Sequence, residues 1–132
     1  MLVPIDGSES ALHTLKEVAI ISKIDVGKIT AIFICSESQG GSSFVMPNLT
    51  LGCNDKIVFS EAKKVADTAG ITIEAILLEG NASEKILKTA HDGCFDLIVI
   101  GARGLSNLSG FILGSISQAV LKNTSCPVLV IH

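Results

Sequence analysis

"LIVIGARGLSNLSGFILGSISQAVLKNTSCPVLVI", residues 97–131, carries the pattern that decides the architecture of this 132-residue chain. It opens on the apolar run Leu97 to Ile100 and spills into a stretch rich in Gly and Ser that holds one Arg and no acid. Helical spacing returns over Ser115 to Lys122, with Ile116, Ala119 and Val120 on one face. Cys126-Pro127 breaks that helix, and Val128 to Ile131 is apolar again. Strand, loop, helix, strand is a crossover unit, and crossovers build parallel sheets. Both strands are continuously apolar, as a strand covered on both faces should be.

The same alternation extends back to the start of the chain. Leu2 to Ile5 reads as a short strand, and residues 8–22 place Ala11, Leu12, Leu15, Val18, Ala19 and Ile20 at helical spacing. Lys28 to Ile34 is β-branched and apolar, a buried strand. Residues 36–54 lose periodicity and read as a long loop. Asp55 to Ala69 is a helix with Gly70 as its C-terminal cap, and Ile71 to Leu78 is the third strand. Asn81 to Asp92 is a helix with Ile86, Leu87 and Ala90 inward, capped by Asn81 or Ser83 and ended by Gly93. Phe95 to Ile100 completes the fourth strand and Val128 to Ile131 is the fifth. Right-handed crossovers place helices on both faces, so the expectation is one doubly wound α/β domain over residues 1–132.

Composition narrows the classes. Hydrophobic residues make up 48% of the chain, yet there is no Trp or Tyr and only five Phe, so Ile, Val, Leu and Ala must build the core. The net charge of −3 is mild and the ten Lys and Arg are scattered, which argues against a nucleic-acid partner. No apolar run approaches the ~18 residues of a membrane span, and no charged-then-apolar signal pattern opens the chain. Cys35, Cys53, Cys94 and Cys126 form no C-x-x-C pair and lie at no zinc spacing from a His. They read as small buried hydrophobes in a reducing, cytoplasmic setting.

In an open parallel sheet, ligands bind beyond the carboxyl ends of the strands where strand order reverses. An order of 3-2-1-4-5 puts that point between strands one and four, so Asp6 and Gly101 would face one crevice. Gly101 and Gly104 let a ligand approach the main chain closely. Gly114-Ser115 opens the last helix, whose first amides lack intrahelical partners and whose dipole adds positive charge. Ser115 and Ser117 would add hydroxyl donors and Arg103 a cation. The alternative is a plain surface loop with a Gly turn and a Ser cap. Leu108, Phe111, Ile112 and Leu113 favour a segment packed down over a floppy one. Asp6 has two readings: a cap for the first helix, with Glu9 completing a capping box, or a carboxylate for a ribose hydroxyl or a divalent ion.

Several devices are absent. There is no G-x-x-x-x-G-K-[ST] and no G-x-G-x-x-G after strand one. Strand one ends in a single acid and strand three at Leu78-Glu79, too few for a phosphoacceptor cluster. His13 and His91 fall in helices and His132 at the end, where solvated roles suit them better than catalysis.

Gly101-x-x-Gly104, nine residues, then Gly114-Ser115 resembles the G-2x-G-9x-G-[ST] signature of the ATP-binding universal stress proteins. "VPIDGSESA", "FDLIVIGARG" and "SCPVLVIH" resemble that family's first, fourth and last strands, so the likeness runs the full chain. The resemblance implies a five-stranded parallel sheet of order 3-2-1-4-5, akin to the adenine nucleotide alpha hydrolases. It implies ATP or a related adenine nucleotide as ligand, often with Mg²⁺ or Mn²⁺. Pro4 and Asp6 would lie near adenine and ribose, and Ile34 would meet adenine through its main chain. Gly101, Ala102, Arg103, Gly104, Leu105, Ser106 and Asn107 would follow ribose and phosphates. Gly114, Ser115, Ile116 and Ser117 would hold the phosphates, and Pro127 to Ile131 would pair with its twin in a homodimer. Two departures stand out. The chain begins almost on strand one, which implies a short strand or a trimmed start. Arg103 stands where members carry varied residues.

Three functions follow as expectations: a nucleotide-dependent stress-response regulator, a slow metal-dependent ATP hydrolase using Asp6, and a nucleotide-free homodimeric interaction domain. The amide cradle and the lack of a catalytic base favour the first.

Overall fold

The computed structural model describes residues 1–23, 27–35, 44–46, 49–51, 53–104 and 113–132. In chain order the elements are β1 (Leu2–Ile5), α1 (Glu9–Ile21), β2 (Ile29–Cys35), β3 (Phe44–Met46) and β4 (Leu49–Leu51). There follow α2 (Cys53–Ala69), β5 (Ile73–Glu79), α3 (Ala82–Asp92), β6 (Ile98–Gly101), α4 (Ser115–Asn123) and β7 (Val128–Ile131). Five strands form one sheet in the order β5-β2-β1-β6-β7, and every pairing in it is parallel. This is the expected 3-2-1-4-5 order, with β1 central and the strand order reversing on either side of it.

Period-two alternation sorts the strands' side chains into two cores. Val3, Ile5, Ala31, Phe33 and Val99 pack with Ala11, Leu15 and Val18 of α1 and Ala62 of α2. Phe33 and Phe59 meet edge to face, their ring centroids 5.7 Å apart. Leu2, Ile32, Ile98 and Ile100 turn the other way, onto Ile86 and Ala90 of α3 and Val120 of α4. Full burial of each such Leu, Ile or Val stabilises the fold by about 1.5–3 kcal/mol, and with so few aromatics these side chains hold the two helix layers to the sheet.

Several local expectations need correction. Residues 36–54 read as an irregular loop, but β3 and β4 pair antiparallel within it, Phe44 opposite Leu51 and Met46 opposite Leu49. Apolar, β-forming residues on both sides of a two-residue gap outweigh the surrounding Gly and Ser. The rest of that stretch, apart from Cys53 and Asn54 at the start of α2, lies outside the described residues. The first helix is capped by Ser8, whose Oγ accepts from the Ala11 amide at 3.1 Å. Asp6 is one step further back, its Oδ1 accepting from the Ser8 amide at 2.9 Å.

The ends of α2 and α3 use the same bond pattern with different residues. After α2, Ile71 N–H reaches Ala66 C=O and Gly70 N–H reaches Asp67 C=O, with Gly70 at φ +72°. After α3, Phe95 N–H reaches Ala90 C=O and Cys94 N–H reaches His91 C=O. Gly93 ends the helix as its C-cap, as expected, at φ −85°, and the left-handed residue is the one after it, Cys94, at φ +49°. Gly93 has a further task. A Cβ on it would land 2.5 Å from the Phe95 ring and 2.9 Å from the Thr89 carbonyl. Cys94 is exposed, against the expectation of burial, while Cys35 and Cys126 are half-buried. Burial pushes the Cys126 thiol above its ordinary range, and its Sγ lies 3.0 Å from the Phe95 carbonyl oxygen.

Candidate functional site

The carboxyl ends of β1, β2, β5 and β6 open onto a crevice of about 480 Å³. Its walls bring together most of the residues singled out from sequence: Pro4, Asp6, Ile34, Gly101, Arg103, Gly104, Gly114, Ser115, Ile116 and Ser117. Ala102 stands behind the wall. It is buried, its N–H donates to Ile131 C=O at 2.7 Å, and its C=O accepts from Gly114 N–H at 2.7 Å. Leu105, Ser106 and Asn107 lie outside the described residues, as do Leu108, Phe111 and Ile112. Among the described lining residues, Asp6 is the one acid and Arg103, exposed at the rim, the one base.

Three helices begin at this crevice, and they begin differently. Ser8 caps α1. Asn81 caps α3, its Oδ1 accepting from the Glu84 amide at 3.2 Å. The N-cap of α4 is Gly114, which has no side chain to offer. The leading amides of Ser115, Ile116 and Ser117 have no carbonyl one turn back to bond. They sit in the crevice wall with the positive end of the helix dipole behind them.

The signature glycines are not equivalent. A Cβ on Gly101 would fall 2.6 Å from Ser10 Oγ and 3.2 Å from Thr14 Oγ1, so α1 packs there only because the residue is Gly. A Cβ on Gly104 would fall 2.6 Å from Asp6 Oδ2, which measures how closely the β1 and β6 ends approach. On Gly114 the nearest atom would be 3.5 Å away, an ordinary contact. Among the described residues, nothing requires Gly114 to be glycine.

Two expected side-chain roles change. Ser117 is buried and its Oγ donates to Gly101 C=O at 2.8 Å, so its one hydroxyl proton is committed to joining α4 to β6. The spacing puts Ile116 on one face with Ala119 and Val120, yet Val120 is buried while Ile116 is 38% exposed and lines the crevice. At a helix start that overhangs a cavity, the side facing the sheet end is not the side facing the core.

Sequence reasoning missed the third wall. Gly80, Asn81 and Ala82, between β5 and α3, also line the crevice, as do Ile32, Ile86 and Ile100. Gly80 adopts φ +124°, a turn closed to other residues, and its N–H holds Cys35 C=O at 3.0 Å beside the end of β2. The signal was present: β5 ends and a cappable helix begins two residues later, as at the end of β1.

A model of the universal stress protein family matches residues 1–132. The chain belongs to the universal stress protein family. It is 30% identical to universal stress protein MJ0531 of Methanocaldococcus jannaschii, over 99% of this chain and 80% of that one. It is 31% identical to universal stress protein YxiE of Bacillus subtilis, over 100% of this chain and 97% of that one. Among solved structures, a universal stress protein in complex with cAMP superimposes with a TM-score of 0.75, at 25% identity over 99% of this chain and 94% of that one. The universal stress protein of Archaeoglobus fulgidus in complex with dAMP superimposes with a TM-score of 0.69, at 22% identity over 99% and 95%. The five-stranded parallel sheet is thus the family's fold. No helix among the described residues of this universal stress protein is long and apolar enough to cross a membrane.

A divalent ion has little to hold it here. No group of three or more His, Cys, Asp or Glu stands ready for a metal among the described residues. Asp6 alone suits the manner in which Mg²⁺ is often bound, by one carboxylate together with the phosphate oxygens of a ligand.

Proposed function

We propose that this universal stress protein binds an adenine nucleotide, ATP or a close relative, and acts as a nucleotide-dependent stress-response switch. One observation carries the reading: among the described residues, of three helix starts at the crevice only that of α4 lacks a side-chain cap, and its bare amides suit a phosphate. The neighbour in complex with cAMP supports the choice of adenine.

In this reading the main-chain amides of Ser115, Ile116 and Ser117 hold phosphate oxygens, and Gly114, whose own N–H bonds the Ala102 carbonyl, leaves the space in front of them open. Gly101 to Asn107 follow the ribose and phosphates, with Arg103 reaching the outer ones. Asp6 accepts from a ribose hydroxyl or shares a Mg²⁺ or Mn²⁺ ion with the phosphates. Pro4 and Ile34 flank adenine, against the apolar floor of Ile32, Ile86 and Ile100. β7 is the edge strand beyond β6, and its free side would pair with a second copy in a homodimer. Leu129 on that strand is 36% exposed and would be covered.

The test is a thermal-shift series with ATP, ADP, AMP and GTP, with and without Mg²⁺. A ligand at ~100 times its Kd adds ~2.7 kcal/mol to stability. Stabilisation by adenine nucleotides supports the reading, and no shift with any of them overturns it.

A further inference from the structure

Asn81 lines the crevice at the β5–α3 turn, which the family signature does not include. Its side chain is oriented by its own helix. The Oδ1 accepts from Glu84 N–H at 3.2 Å and from Ser83 Oγ at 2.8 Å. A backbone N–H can meet only an acceptor, so the oxygen must face the helix and the NH₂ group must face away. Among the described residues that NH₂ group has no partner. The turn beneath it is fixed as well, through Gly80 N–H on Cys35 C=O beside Ile34. The crevice therefore has a row of amides at the α4 end and an oriented two-proton donor at the β5 end. Apolar Ile34, Ile32 and Ile86 lie among its walls.

We propose that Asn81 is a specificity-determining residue whose side-chain amide donates a hydrogen bond to a ring nitrogen of the bound adenine. The inference rests on the nucleotide reading above and adds to it the group that reads the base. With phosphate on α4 and the ring against the apolar wall, the ring edge comes to the β5–α3 turn. There a neutral donor matches an acceptor nitrogen and rejects a second donor.

Two substitutions separate this role from capping. Asn81→Asp and Asn81→Ser both retain an oxygen able to cap α3 and both lose the NH₂ group. Unliganded variants should melt close to the wild type. ATP affinity should fall about tenfold in each, and the fall in the neutral Asn81→Ser excludes simple charge repulsion. ATP analogues with carbon at ring position 1, 3 or 7 complete the test. One of them should bind the wild type about tenfold more weakly than ATP, yet bind Asn81→Ser as well as ATP does. Unchanged ATP affinity in Asn81→Ser, or an equal analogue penalty in wild type and variant, overturns the inference alone. Failure of the wild type to bind any adenine nucleotide overturns it together with the nucleotide reading.

Discussion

The starts of α3 and α4 face one crevice and have been finished in opposite ways. α3 carries an Asn whose oxygen closes its first turn. α4 carries Gly114, in the same extended conformation (φ −66°, ψ 156°) but with no group to close anything. An Asn cap typically stabilises a helix by ~1 kcal/mol over Ala and by only a few tenths over Gly, so α4 gives up little stability by leaving its first amides open. Among the described residues, this bare start beside a capped neighbour is the contrast on which the proposed phosphate site rests.

The largest test of this contrast is to finish α4 as α3 is finished. Gly114→Asp has room for its Cβ, 3.5 Å from the nearest atom, and an N-cap conformation that suits Asp. Its carboxylate would occupy the phosphate position. The ~2.7 kcal/mol that saturating ATP should add is then lost, while the unliganded protein holds steady or gains a few tenths of a kcal/mol. Melting curves with and without ATP measure both, and an undiminished ATP shift would break the contrast.

Next comes Gly101→Ala, a glycine the fold itself requires. Its Cβ meets Ser10 Oγ at 2.6 Å, so urea unfolding should show a loss of ~1–3 kcal/mol. Wild-type stability would mean that Ser10 turns aside freely. Asn81→Ala removes the finished start of α3 and should cost ~1 kcal/mol, a loss that Asn81→Asp avoids. The smallest effect lies at the other end of α3. Cys94 holds the left-handed position that Gly70 holds after α2. Cys94→Gly should raise stability by ~1 kcal/mol, the strain an L-residue bears there. No gain would show that the Cys94 side chain compensates.

The architecture was readable because each element announces itself locally. Val3 and Ile5 alternate with Leu2, Ala11, Leu15 and Val18 repeat at helical spacing, and Gly70 or Pro127 closes the unit. The site was readable at β1, β6 and α4, where Gly and Ser follow apolar runs. Gly80 to Ala82 escaped because the expected strand order directs attention to the switch point between strands one and four, whereas the crevice extends across β2 to the end of β5. Of the two readings of Asp6, the cap of α1 falls to Ser8 instead, because Asp6 and Ser8 are both good acceptors and only backbone geometry chooses between them. Ser117 was read as a phosphate donor because nothing local reveals that the Gly101 carbonyl lies within reach.

The central position of β1 has a consequence for the growing chain. Leu2 is made long before its partner Ile98, which belongs to β6, behind four other strands and three helices. Until β6 and α4 emerge, β1 has a neighbour on one side only, and the crevice has Asp6 and Asn81 but no bare helix start. Contacts so distant in sequence form late and slowly. On the proposed function, nucleotide capture would be among the last events of folding, and a nascent chain stopped before residue 114 should be blind to nucleotide.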